Sequence, residues 1–172
     1  IIGGGNVAID AARTALRLGS PDVSILYRRS RDEMPVLKEE VEKAEQEGIK
    51  INYLVAPLRV FGQNGKVSGI KCTRMKLEWI DTSGRMRPTL IEGSEFVVDA
   101  DTVIIAIGEA PDLTFLGRRS KFNITSKGTL EVDPTSLATN IPGVFAGGDV
   151  VSGPATVSEA IAAGKRGAMF ID

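Results

Sequence analysis

Histidine is absent from the chain, and Cys72 is its only cysteine among 172 residues. With one thiol, no internal disulfide and no CxxC redox pair can form. An iron–sulfur ligand set and a Ser–His or Cys–His nucleophile are excluded as well. Cys72 lies in the alternating run "VSGIKCTRM" and is expected to be a structural, buried residue. The formal net charge is −1, with no basic stripe suited to nucleic acid and no polybasic tail for a membrane surface. Long hydrophobic runs are missing too. The apolar stretch Thr102–Gly108 is far too short to span a bilayer. No signal-peptide pattern is seen, and the expected location is cytoplasmic. Tyr27 and Tyr53 are the only tyrosines, and neither has a lysine four positions on, so a Tyr-x-x-x-Lys pair is excluded.

What is present reads as an ordinary globular chain, 42% hydrophobic and 25% charged. The length suits one domain, or a domain plus part of another, with a real core. Glycine is frequent, 19 residues, and clusters at Gly3–Gly5 and Gly143–Gly153. Ile1 and Ile2 read as the tail of a strand. From Asn6 to Leu18, residues Val7, Ala8, Ala11, Ala12, Ala15 and Leu16 recur at helical spacing, and Gly19 with Pro21 ends the run. "DVSILYRR" reads as a second parallel strand, so residues 1–27 form a βαβ unit. "VLKEEVEKAEQEG" predicts a charged helix with Val36, Leu37, Val41 and Ala44 inward. "KVSGIKCTRMKLEWI" and "RPTLIEGSEFVVD", around a "DTSGR" turn, predict a long antiparallel hairpin. Beyond Asp99, "ADTVIIAIG", "GTLEV" and "PGVFAGGDV" predict strands, and "TVSEAIAAGKRGAMFI" an amphipathic helix.

Chemistry is expected at four places. Gly3-Gly4-Gly5-Asn6-Val7-Ala8 fits G-x-G-x-x-A. Gly3 permits the turn, Gly5 admits a pyrophosphate to the backbone, and Ala8 permits close helix–strand packing. The helix amino terminus adds free N–H groups and a positive dipole end. The bland alternative is a structural glycine turn. The next strand ends in Arg28 and Arg29 rather than in the acid that would accept from an NAD ribose. Guanidinium groups there suit a 2′-phosphate, which points to NADP(H). Arg31 is the weaker candidate because it can pair with Glu33 or Glu39, and a solvated basic loop is the alternative for all three. The strand ending at Ile107-Gly108 could bring backbone near a cofactor, or be only a strand and turn. Finally, Gly148 and Asp149 follow a strand, where a carboxylate can accept from a ribityl hydroxyl. The amides of Ala155, Thr156 and Val157 open the following helix, where they could face a reduced flavin ring. A capped helix after a polar loop is the alternative.

Four stretches in order, "GGGNVAIDAARTALRLG", "YRRSRDEMP", "VIIAIGEAPD" and "GVFAGGDVVSGPATVSEAIAAGKRGA", together resemble one family across the chain. It is the NAD(P)H-dependent FAD flavoprotein family of the glutamate synthase small-subunit type, within the thioredoxin reductase-like group. Ferredoxin:NADP oxidoreductase large subunits and the amino-terminal region of dihydropyrimidine dehydrogenase are similar too. The resemblance implies an α/β fold: a Rossmann-like three-layer FAD/NAD(P)-binding fold with a β-hairpin or small antiparallel sheet, plus the carboxyl-terminal portion of a second, FAD-binding domain. Residues 1–97 would be the inserted NADP(H)-binding domain and 98–172 the returning part of the FAD-binding domain. By the same resemblance Arg28 and Arg29 hold the 2′-phosphate, Gly108 lies where the cofactors meet, Asp149, after the tight backbone at Gly148, holds the flavin's ribityl or pyrophosphate region, and amides of Ala155–Val157 face its ring.

The expectation is therefore a piece of a larger flavoprotein, lacking the amino-terminal FAD half and the iron–sulfur segment. Hydride would pass between NADPH and FAD, with electrons going on to iron–sulfur centres and a partner such as a large synthase subunit or a ferredoxin-type protein. No catalytic side chain and no metal ligand is expected, since the cofactors carry the chemistry. The alternatives are a stand-alone nucleotide-binding or regulatory module and an NADP-dependent dehydrogenase acting directly on a metabolite. Self-association through Val103–Ile107 and Val144–Ala146 is expected of the isolated piece.

Overall fold

The glycine-rich start of the chain is inserted between two neighbours. In the computed structural model, which describes residues 1–79, 86–117 and 121–171, Ile2 forms parallel bridges to both Leu26 and Ile105. The backbone bonds are short: Ile2 N–H to Ile104 O at 2.8 Å, Leu26 N–H to Ile1 O at 2.8 Å, and Ala106 N–H to Ile2 O at 2.7 Å. Strand β1 (Ser24–Tyr27) pairs in parallel with β2 (Lys50–Tyr53), from Ser24↔Lys50 to Tyr27↔Tyr53. The parallel layer thus runs β2, β1, Ile2, Ile105.

Helices α1 (Asn6–Arg17) and α2 (Lys38–Gln46) cover one face of this layer. Ile9 and Ala12 of α1, and Val41 and Ala44 of α2, share a core with Ile25, Tyr27, Val23, Ile49 and Met34. The pleat sends the intervening residue Leu26 the other way. It packs with Val55, Ile70 and Cys72, flanked by Phe96 and Val98. Those residues belong to a second sheet of β3 (Val55–Gln63), β4 (Lys66–Trp79), β5 (Met86–Leu90) and β6 (Phe96–Val98). β4 pairs antiparallel with all three of its partners. The result is helices, parallel sheet and antiparallel sheet in three layers, the Rossmann-like α/β arrangement with a small antiparallel sheet. The β4–β5 pairing is the expected hairpin arm. The turn expected at Asp81–Arg85 lies outside the described residues.

Helices α1 and α2 are clamped together by charge. Arg13 reaches Glu47 at 2.6 Å and Glu40 at 3.0 Å, and Arg17 reaches Glu47 at 2.9 Å. Leu37, expected to face inward, is instead 72% exposed. The helix begins at Lys38, so Leu37 takes the N-cap position, while Val36 packs against the core as expected.

The chain divides into two units, Ile1–Gly108 and Glu109–Asp172. In the second, α3 (Asp149–Ser152) and α4 (Val157–Ala168) accompany extended segments joined by single bridges, Ile124↔Leu130, Val132↔Thr139 and Ala138↔Phe145. The strands expected at 128–132 and 142–150 are therefore bridged extended chain rather than ladders. The run at 102–107 departs further from its expected burial. Ala106 is buried, but Ile105 and Ile107 are 69% and 72% exposed. Ile2 pairs with this segment along one edge, and an apolar run becomes a buried strand only when neighbours flank it.

Candidate dinucleotide site

The turn before α1 is built from three glycines with three different constraints. Gly3 has φ of +137°, and a Cβ there would lie 2.1 Å from the Ala106 carbonyl oxygen. Gly4 has no room because a Cβ would fall 2.3 Å from the Tyr27 ring. Gly5 has φ of −91°, and a Cβ there would meet nothing within 4 Å. The first two are thus demanded by the chain's own packing. The third is not, and its open side is where a ligand can approach the backbone.

Gly5 is also the N-cap of α1, with no capping side chain and no acidic residue in the first turn. The first amides of the helix therefore retain unmet donors and a positive dipole end. Ala8 is fully buried under the turn, as close helix–sheet packing requires.

A cavity of about 730 Å³ joins this turn to the other sequence-predicted residues of the first unit. Gly3, Gly4, Gly5, Asn6, Val7, Arg28, Arg29, Ile107 and Gly108 all line it. Tyr27, Pro35, Val55, Ala56 and Pro57 line it too and were not singled out from the sequence, because strand crossing brings them there. Beside the cavity, Ser30-Arg31-Asp32-Glu33 has the S-x-x-E form of a capping box. The structure shows that box around the short 3₁₀ turn Arg31–Glu33.

The basic loop carries its own counter-charges. Arg28 is exposed. Arg29 pairs with Glu33 at 3.2 Å, and Arg31 pairs with Glu45 at 2.9 Å rather than with Glu33 or Glu39. Arg31 is thereby drawn toward α2, and Arg28 and Arg29 remain the cavity's two cations. The donor set suits NADP(H): helix amides for a pyrophosphate, two guanidinium groups for a further phosphate, and apolar walls for a ring.

In the second unit, Gly148 takes φ of +73° and caps α3. Asp149 is exposed, and its Oδ1 accepts from the Ala155 amide at 3.3 Å. Thr156 is the N-cap of α4 in a capping box: its amide donates to Glu159 at 2.9 Å, and its Oγ1 accepts from the Glu159 amide at 3.3 Å. That hydroxyl and the Thr156 amide hold the Glu159 carboxyl below its ordinary range. Of the amides expected to face a flavin, those of Ala155 and Thr156 thus already have carboxylate acceptors. Val157, the first residue of α4, has no preceding turn to donate into. An exposed carboxylate beside a helix amino terminus suits a polyhydroxyl chain and a polar ring edge.

A glycine turn, a helix amino terminus and two adjacent arginines in a three-layer α/β unit suit a dinucleotide-binding module. The chain belongs to the pyridine nucleotide-disulphide oxidoreductase family, whose profile matches residues 1–164. It is similar to the NADP(+)-dependent formate dehydrogenase subunit beta of Moorella thermoacetica, at 50% identity over all of this chain and 24% of that protein. It is similar also to the glutamate synthase [NADPH] small chain of Azospirillum brasilense, at 43% identity over 98% of this chain and 35% of that one. The T. acidophilum thioredoxin reductase crystal structure superposes with a TM-score of 0.77 at 25% identity, over 99% of this chain and 50% of that one. The chain thus spans between about a quarter and a half of these relatives. Their names bear out the resemblance to the glutamate synthase small-subunit type. Among the described residues, no helix is long and apolar enough to cross a membrane.

Proposed function

We propose that this chain supplies the NADP(H) site, and an adjoining part of the flavin site, of an oxidoreductase that moves hydride between NADPH and FAD. The observation that carries this reading is the single cavity uniting the open Gly5 backbone with Arg28 and Arg29. Residues 1–97 act as the NADP(H)-binding domain and 98–172 as part of the FAD-binding domain. The α1 amides and Gly5 hold the pyrophosphate. Arg28 and Arg29 hold the 2′-phosphate, which NAD lacks. Ile107 and Gly108 line the same cavity and keep water from the ring. Asp149, beside Gly148, accepts from a ribityl hydroxyl, and the Val157 amide serves the flavin ring. The nicotinamide and flavin, when bound, supply the redox chemistry, so the protein's task is placement and electrostatics. Relatives named as a beta subunit and a small chain support a partner subunit that takes the electrons onward.

A second reading, a nucleotide-binding module without redox turnover, draws on the capped state of α4. Its Thr156 amide is already held by Glu159. Titration by calorimetry with NADPH and NADH, with an Arg28→Ala/Arg29→Ala variant beside the native chain, tests the first site. Tight NADPH binding, weak NADH binding and loss of that preference in the variant are expected. Equal binding of both nucleotides by the native chain would refute the NADP(H) assignment. Titration with FAD, followed by flavin absorbance, separates the flavoprotein reading from the module.

A further inference from the structure

Glu33 stands at the centre of the basic loop without entering the cavity. Its carboxylate accepts from Arg29 at 3.2 Å, from the Ser30 amide at 3.3 Å and from Ser30 Oγ at 3.1 Å. Its carbonyl oxygen accepts from the Tyr27 hydroxyl at 2.8 Å. The Tyr27 ring, in turn, lies against Gly4. Arg29 lines both the dinucleotide cavity and a second hollow of about 680 Å³, whereas Glu33 lines the second. Glu33 therefore grips the guanidinium from behind.

We propose that Glu33 is a positioning residue that sets the preference for the 2′-phosphorylated nucleotide. Its side chain fixes the Arg29 fork toward the cavity, while the main-chain carbonyl of the same residue, through Tyr27, ties the 2′-phosphate loop to the pyrophosphate turn whatever side chain stands there. The inference rests on Arg29 as a 2′-phosphate ligand. A long side chain held by a partner loses less freedom when it binds. What Arg29 needs from Glu33 is an acceptor oxygen at a fixed place. A negative charge is not needed, and beside a phosphate it is mildly unfavourable.

Two substitutions separate these contributions. Glu33→Ala removes the acceptor and the cap together. Glu33→Gln keeps one acceptor oxygen for Arg29, gives up the second acceptor that serves Ser30, and removes the charge. Calorimetric titration of the native chain and both variants with NADPH and NADH reads the result. Glu33→Ala is expected to weaken NADPH about tenfold, the scale of one charge-assisted hydrogen bond, and to leave NADH unchanged. Glu33→Gln is expected to bind NADPH at least as well as the native chain. Unchanged NADPH binding in Glu33→Ala overturns the proposal. So does equal weakening of both nucleotides, which would make Glu33 merely structural. Equal loss in Ala and Gln overturns it also, since charge or the Ser30 cap would then matter and the placement of Arg29 would not. A native chain without any NADPH preference would instead defeat the assignment of Arg28 and Arg29.

Discussion

Replacing Gly4 or Gly5 by alanine adds the same methyl group to adjacent residues, and the two changes should fail in opposite ways. At Gly4 the new Cβ would sit 2.3 Å from Tyr27 Cδ2 and 2.4 Å from Cε2. That ring is 8% exposed and tethered by its hydroxyl to Glu33, so it cannot swing away freely. Forced overpacking costs about 1–3 kcal/mol, and loss of the tether adds about 1 kcal/mol. The expected destabilisation is about 2–4 kcal/mol. For a unit of this size that lowers the melting temperature by roughly 4 °C per kcal/mol. At Gly5 the methyl meets no protein atom within 4 Å. Alanine is a poorer N-cap than glycine, at a cost below about 1 kcal/mol. The methyl does occupy the approach to the α1 amides. Gly5→Ala is therefore expected to fold, and to bind both NADPH and NADH at least about tenfold more weakly, or about 1.4 kcal/mol. Both nucleotides share the pyrophosphate, so this loss differs from that of the arginine variants. Scanning calorimetry and titration calorimetry on the two variants read the two effects. Gly5→Ala binding nucleotide like the native chain would refute the reasoning, as would Gly4→Ala melting like it.

Three further outcomes are expected. The Arg13 hydrogen bond, aided by Arg17, pulls the Glu47 carboxyl from 4.5 to about 2. A depressed folded value means the stabilisation is present above pH 4.5 and is lost as pH falls toward 2. Melting temperatures of the native chain and Glu47→Gln should therefore converge between pH 4.5 and 2, and a constant gap would contradict the ion-pair account. Cys72 is fully buried, and burial pushes its thiol up from 9.0. It should resist a thiol-specific reagent at pH 8 until denaturant is added, and rapid native-state labelling would count against that packing. Exposed Ile105 and Ile107 should drive self-association, visible as concentration-dependent sedimentation that Ile105→Lys reduces. A clean monomer over a wide concentration range would refute it.

Much of the first unit was readable because its signals are local. The glycine turn, the α1 periodicity and the arginines after β1 lie close together in sequence, and the fold leaves them adjacent. The capping box at Thr156 and Glu159 is local as well. Burial of residues 102–107 is not legible in the sequence because composition records how apolar a run is, not how many strands flank it. The ion pairs of the basic loop differ from those its sequence spacing suggests for a similar reason. Arg31 turns to Glu45, fourteen residues away, because α2 packs back toward the loop. That frees Glu33 for Arg29. The contact of Tyr27 with Gly4 spans a strand and a helix and has no one-dimensional trace.

Strand β4 meets β3 along one edge and β6 along the other, and the two pairings overlap at Ile70, Lys71 and Cys72. Beyond Met75 its described partner is β5. The segment Ile70–Cys72 is paired on both edges and backed by a buried layer, whereas the segment past Met75 is paired with β5 alone among the described residues, so its amide protons are expected to exchange sooner. The arm can therefore breathe on a faster clock than its own base. A continuous fourteen-residue strand is thus held on both edges near its middle and on one edge from Met75 to Trp79, and opening of that last stretch need not disturb the layer that backs Leu26.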